Sequence, residues 1–165
     1  MWNERQVRLM PQLPRDPALV DPRLWKLFGK LANGQAKWPL LLHGPPGTGK
    51  TCAAFCVCDR SRTAMYATTD ALCDRVLRGD DPNLFEWIAS KDLAVLDELG
   101  CREKVGDLHY TTVKQFADAR REKPTIYITN LSINELRSIY DDRIVSRVLC
   151  GTWFELTGED RRLAS

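Results

Sequence analysis

Residues 44–51 are Gly44-Pro45-Pro46-Gly47-Thr48-Gly49-Lys50-Thr51, a complete G-x-x-x-x-G-K-T pattern. The apolar residues 38–42 before it predict a buried strand, and the apolar residues 52–58 after it predict the start of a helix. Strand, glycine-rich loop and helix in this order are typical of a phosphate loop, in which backbone N–H groups and the helix N-terminus surround an anion. Lys50 would neutralise phosphate charge, and the Thr51 hydroxyl would be a ligand of Mg²⁺. The pattern therefore predicts that this loop binds a nucleoside triphosphate.

Length and composition indicate a single globular domain. The chain has 165 residues, of which 44% are hydrophobic and 28% charged, and its formal net charge is +2. A net charge this small does not by itself indicate a polyanion partner. The sequence contains no apolar run near the ~18 residues of a membrane span, and residues 1–5 do not resemble a secretory signal. We therefore expect a cytoplasmic protein with no membrane partner.

The chain is predicted to consist of an arm and one domain. Pro11, Pro14 and Pro17 predict an extended N-terminal arm over residues 1–21. Asp21-Pro22 is typical of a helix start, so the domain is expected to span residues 22–165. Within it, helical patterns alternate with apolar strands, as expected when helices cover both faces of a parallel sheet. The sequence predicts an α/β fold of three layers around a parallel sheet.

Two acidic residues, Asp97 and Glu98, follow the third predicted strand at residues 92–96. Carboxylates at the carboxyl end of a parallel strand face the crevice in which such sheets bind ligands. Asp97 is positioned in the sequence to hold Mg²⁺ through a water, and Glu98 to orient and deprotonate the water that attacks the γ-phosphate. A helix-capping acidic pair is the alternative. With a phosphate loop in the same chain, the pair favours hydrolysis.

Asn130 follows the fourth predicted strand, residues 124–129. Its amide could hydrogen-bond the attacking water or the γ-phosphate. Asn is also a good N-cap for the helix that follows, so the residue alone leaves both interpretations open.

Arg143 and Arg147 are four residues apart and share one face of a predicted helix. A guanidinium offered to the γ-phosphate of a neighbouring subunit would act as an arginine finger. The alternative is an ion pair with Asp141, Asp142 or another nearby acid on a solvated face. Taken alone, the sequence pattern favours the ion pair.

Taken together, these motifs resemble the AAA+ ATPases of the DnaC/IstB type. The similarity rests on the phosphate loop, the Leu-Asp-Glu-Leu-Gly run at 96–100, residues 128–132 and the two arginines, and it extends from about Leu31 to Arg162. That group contains bacterial and phage helicase loaders and the ATP-binding helper proteins of some transposons.

The resemblance implies a role for each of these residues. Lys50 and Thr51 become the Walker A pair, Asp97 and Glu98 the Walker B pair, and Asn130 the sensor 1 residue. Arg147 becomes the arginine finger, with Arg143 as its companion. The resemblance also implies a five-stranded sheet in the order 5-1-4-3-2. Because the chain stops near Ser165, we expect no C-terminal lid domain.

The implied function is ATP hydrolysis in DNA replication. The protein would be a helicase-loader-like homo-oligomer that binds single-stranded DNA and a replicative helicase, with ATP, Mg²⁺ and active sites at subunit interfaces. Loop and helix arginines are candidates for DNA contact: Arg75, Arg78, Arg120 and Arg121.

Three alternatives stay open. A transposition helper ATPase would act with a transposase on duplex DNA. A small-molecule kinase would use the same phosphate loop, although Asp97, Glu98 and Asn130 together argue against it. A nucleotide-gated adaptor would bind ATP without hydrolysing it.

Overall fold

We describe residues 15–79, 81–100 and 106–158 from a computed structural model of the chain. Five strands are present in these residues: β1 Leu40–His43, β2 Ala64–Thr68, β3 Leu93–Asp97, β4 Thr125–Thr129 and β5 Thr152–Glu155. The α-helices are α1 Pro22–Ala32, α2 Lys50–Cys58, α3 Thr69–Arg78, α4 Leu84–Ala89, α5 Asp107–Ala119, α6 Ile133–Ile139 and α7 Asp142–Leu149. Among the helices of these segments, none is long and apolar enough to cross a bilayer.

The strands form one parallel sheet in the order β2-β3-β4-β1-β5. This is the predicted order 5-1-4-3-2 read from the other edge, so the predicted topology is confirmed. Parallel strands end at the same edge of a sheet. The register pairs His43 with Thr129 and Thr68 with Asp97, which places the ends of β1, β2, β3 and β4 side by side.

Each face of the sheet is covered by helices, which gives the predicted three layers. Leu40 and Leu42 of β1 pack into a core with α1 and α2, whereas Leu41 packs into a second core with α3 to α7. Successive side chains of a strand point to opposite faces, so both faces of β1 are apolar. Because both faces are buried, the predicted strands show no alternation of apolar and polar residues.

The predicted N-terminal arm, residues 1–21, lies mostly outside the described residues. Residues 15–21 of this segment are described, and they include a short helical turn. Asp16 caps a short 3₁₀ helix at Pro17–Leu19, Val20 is buried, and the Trp25 indole donates to the Pro17 carbonyl at 3.0 Å. Prolines that disfavour a regular helix are compatible with such a short capped turn.

Candidate functional site

The phosphate loop connects β1 to α2 in the predicted position. Gly49 caps α2 with a left-handed backbone, φ 93°, that a residue with a side chain adopts only with strain. At Gly44 a Cβ would lie 2.0 Å from the carbonyl oxygen of Leu156, so the loop passes too close to the end of β5 for any side chain. Because Gly49 has no side chain, no cap side chain covers the first amides of α2. The loop therefore leaves a helix N-terminus open to an anion.

Lys50 lies across this loop and is buried. Its Nζ donates to the carbonyl oxygens of Gly44 and Pro45, both at 2.6 Å. A phosphate bound at this loop would accept hydrogen bonds from the same ammonium group and neutralise its charge. Lys50 is thus placed to exchange loop carbonyls for phosphate oxygens.

Asp97 is buried at the end of β3 and accepts three hydrogen bonds. Thr51 Oγ1 donates to Asp97 Oδ2 at 2.7 Å, and the Tyr66 hydroxyl donates to the same oxygen at 2.8 Å. The backbone N–H of Glu98 donates to Asp97 Oδ1 at 2.6 Å. The structure therefore brings together the hydroxyl and the carboxylate predicted to hold Mg²⁺. Sequence reasoning missed Tyr66, because a tyrosine in an apolar strand is typical of an ordinary core residue.

Glu98 is exposed and has an unusual backbone conformation. Its φ of 58° lies in the left-handed region, which costs a non-glycine residue about 1–3 kcal/mol and is found most often at functional sites. Partial burial raises the pKa of its carboxyl group, and the neighbouring charges of Asp97 and Asp70 raise it further. Glu98 is a carboxylate at the sheet edge, separate from the buried Asp97.

Asn130 is exposed directly after β4, the strand between β3 and β1. The preceding Thr129 hydroxyl donates to the Leu99 carbonyl at 2.6 Å and accepts from the Leu131 N–H. The N–H of Leu99 in turn donates to the Ile128 carbonyl. These bonds join the segment after Asp97 and Glu98 to the end of β4, the strand that Asn130 directly follows.

Arg143 and Arg147 lie on α7, and Arg143 is exposed. Arg147 Nη2 pairs with Asp118 Oδ1 of α5 at 2.7 Å. Its Nη1 is buried and has no hydrogen-bond partner within the part of the chain that is described. The ion-pair partner of Arg147 therefore lies on α5 of the same chain and not in the phosphate loop.

Arg120 does not fit its predicted role as a DNA contact. Its side chain is 3% exposed and donates to the carbonyl oxygens of Ile88, Lys91 and Pro124 at 3.0, 2.7 and 2.6 Å. Burial lowers the pKa of this guanidinium to about 10. Arg120 joins the end of α4 to the start of β4 and has a structural role. Of the other candidates, Arg75 pairs with Asp81 at 3.5 Å, whereas Arg78 and Arg121 are exposed.

Comparison with known proteins places this geometry in context. The sequence matches no family model. It is 31% identical over 78 residues to the Holliday junction branch migration complex subunit RuvB from Wolbachia sp. subsp. Brugia malayi (strain TRS), which is 47% of this chain and 23% of RuvB.

Two solved structures of replication proteins are similar over most of the chain. Replication initiator DnaA, bound to AMPPCP and single-stranded DNA, aligns with a TM-score of 0.73 at 21% identity over 92% of this chain and 51% of DnaA. The DnaC helicase loader aligns with a TM-score of 0.70 at 20% identity over 89% of this chain and 95% of the loader chain. The chain thus spans 23% of RuvB and 51% of DnaA. These alignments show that the chain shares its fold with DnaA and the DnaC helicase loader, an α/β fold around a parallel five-stranded sheet, as the sequence predicted.

Proposed function

We propose that this chain binds Mg²⁺–ATP at the carboxyl edge of its sheet and hydrolyses it as an AAA+ ATPase of DNA replication. The observation that supports this best is the contact of Thr51 Oγ1 with Asp97 Oδ2, beside a phosphate loop that holds Lys50. The two residues come from α2 and β3, and their meeting is what a Walker A and Walker B pair requires.

The donor set fits Mg²⁺. Thr51 and Asp97 offer a hydroxyl and a carboxylate, which are oxygen ligands of the kind that Mg²⁺ prefers. No group of three or more His, Cys, Asp or Glu side chains among the described residues could hold a metal ion. A metal here would complete its shell with phosphate oxygens and water, as Mg²⁺ does in nucleotide sites. When bound, it would neutralise charge on the phosphates.

Glu98 and Asn130 are the residues we assign to the attacking water. Glu98 would accept the proton from that water, and its raised pKa moves it toward the range in which a carboxylate is an effective base. Asn130 would orient the water or the γ-phosphate through its amide.

Arg147 is the residue we assign to a neighbouring subunit's nucleotide, with Arg143 beside it. To reach across an interface, the guanidinium must turn away from Asp118, because Nη1 is covered by its own chain. A γ-phosphate would accept hydrogen bonds from both terminal nitrogens, whereas Asp118 pairs with Nη2. The active protein would then be a homo-oligomer with ATP between subunits.

The proposed setting is the cytoplasm, where the oligomer would bind single-stranded DNA and act on a replicative helicase. The fold shared with the DnaC helicase loader and with DnaA bound to single-stranded DNA supports this setting.

The test is ATPase activity measured against protein concentration, with and without single-stranded DNA. We expect phosphate release per subunit to rise with protein concentration and to rise further with DNA. Phosphate release that stays proportional to protein, whether or not DNA is present, would contradict the shared site. ATP consumed without phosphate release would contradict hydrolysis itself.

A further inference from the structure

The hydroxyl of Tyr66 shares an acceptor with the predicted metal ligand Thr51. Both donate to Asp97 Oδ2, at 2.8 and 2.7 Å. Asp97 Oδ1 accepts from the backbone N–H of Glu98. A carboxylate has about four lone-pair positions, so three are filled and one remains, on Oδ1.

Tyr66 is held firmly in this position. It lies on β2 opposite Val95 of β3, it is buried, and its ring centroid is 4.6 Å from that of Phe55 on α2. Burial and the adjacent Asp97 carboxylate raise the pKa of its phenol well above the usual value, so the group stays protonated and donates. Tyr66 is therefore a fixed donor aimed at one oxygen of Asp97.

We propose that Tyr66 is a positioning residue for the magnesium–nucleotide site and fixes the direction in which Asp97 offers its remaining lone pair. The inference rests on the proposed function. With Oδ2 occupied by two hydroxyl groups, the carboxylate cannot rotate without breaking a buried hydrogen bond. The remaining lone pair on Asp97 Oδ1 is then fixed in one direction. Groups that orient a metal-binding carboxylate in this way are worth about 10–100-fold in metal affinity.

Tyr66→Phe removes this donor and keeps the ring against Phe55. Asp97 would then have a second open position on Oδ2, and a water could enter beside Thr51. We expect the Mg²⁺ concentration for half-maximal binding to rise about tenfold, while nucleotide affinity without Mg²⁺ stays unchanged. A merely structural role would weaken binding equally with and without Mg²⁺.

The experiment titrates Mg²⁺ into the full chain with a fluorescent ATP analogue and repeats the nucleotide titration in EDTA. Tyr127→Phe is the matched control, because this buried tyrosine packs in the core on the other face of the sheet. Circular dichroism checks that each variant is folded. Asp97→Asn marks the effect of altering the carboxylate itself.

The outcomes separate this role from the function on which it rests. A tenfold higher Mg²⁺ requirement in Tyr66→Phe alone, with Tyr127→Phe like the wild type, supports the proposal. An unchanged requirement in Tyr66→Phe, while Asp97→Asn raises it, overturns the role of Tyr66 and leaves the ATP site standing. Equal weakening with and without Mg²⁺ also overturns it. A wild-type chain that binds no nucleotide overturns both.

Discussion

The phosphate loop and helix α7 contain the two halves of the proposed active site, and their residues make different kinds of contact within the chain. At the loop, Lys50 donates to loop carbonyl oxygens and Thr51 Oγ1 contacts Asp97. On α7, Arg147 pairs with Asp118 of α5. The residues proposed to bind the nucleotide thus contact one another within one chain, whereas the proposed arginine finger is held by an ion pair. That difference is expected when turnover depends on contact between two copies of the chain.

The largest effect should come from Arg147→Ala. An arginine finger contributes about 10³–10⁵ in rate, so we expect hydrolysis to fall about 1,000-fold while nucleotide binding is unchanged. Phosphate release and binding of a fluorescent ATP analogue are the two measurements. Arg137→Ala, an exposed arginine of the neighbouring α6, is the control and should be nearly silent. A loss of less than tenfold would remove Arg147 from the catalytic site.

Arg120 differs from Arg147 because its guanidinium is bound to backbone carbonyl oxygens of its own chain. Arg120→Met leaves several buried carbonyl oxygens without a donor, so we expect the free energy of unfolding to fall by roughly 3 kcal/mol. Urea denaturation followed by circular dichroism measures it. Arg121→Met should change stability little, because that side chain is exposed. Equal stability of the two variants would mean that the Arg120 contacts carry no net energy.

Lys50→Ala tests the phosphate-loop half of the proposed active site. We expect ATP affinity to fall about 100-fold, because a charge-assisted contact to phosphate is lost from a buried position. Lys26→Ala on α1 is a matched exposed control. Circular dichroism checks that the variant is folded. Unchanged affinity would contradict the assignment of residues 44–51.

The smallest effect is expected from Asp118→Asn, which weakens the resting contact of Arg147. The Asp118 carboxylate is 43% exposed, so water screens its attraction to Arg147, and we expect at most about a threefold rise in ATPase activity at low protein concentration. At saturating protein the rise should disappear. Asp142→Asn, an exposed acid on α7, is the control. A fall in activity instead would mean that Asp118 holds Arg147 in its working position.

The loop and the acidic pair were predictable because their signals are local. Eight consecutive residues define the phosphate loop, and Asp97 follows an unbroken apolar strand. The strand order came from a family resemblance, and the contact of Thr51 with Asp97 follows from where parallel strands end. The loop and the acidic pair thus depend on patterns within single segments, whereas the strand order depended on the resemblance.

The remaining contacts depend on which distant segments meet, and the sequence carries little signal for that. Arg120 and Arg121 are adjacent and alike, and only the carbonyls of residues 88–91 decide which one turns inward. Arg147 was expected to pair with a nearby acid such as Asp141 or Asp142, yet its partner is Asp118 on another helix. Tyr66 gave no signal because its hydroxyl has a role only beside Asp97.

The shared active site is tested most directly by mixing two inactive variants. The Lys50→Ala variant keeps Arg147 but does not bind ATP. The Arg147→Ala variant binds ATP but lacks the arginine finger. In an equal mixture that exchanges subunits freely, about one interface in four would combine an intact loop with an intact finger. We therefore predict that phosphate release in the mixture recovers to roughly a quarter of the wild-type rate, while each variant alone stays inactive. A mixture no more active than its separate components would contradict the account.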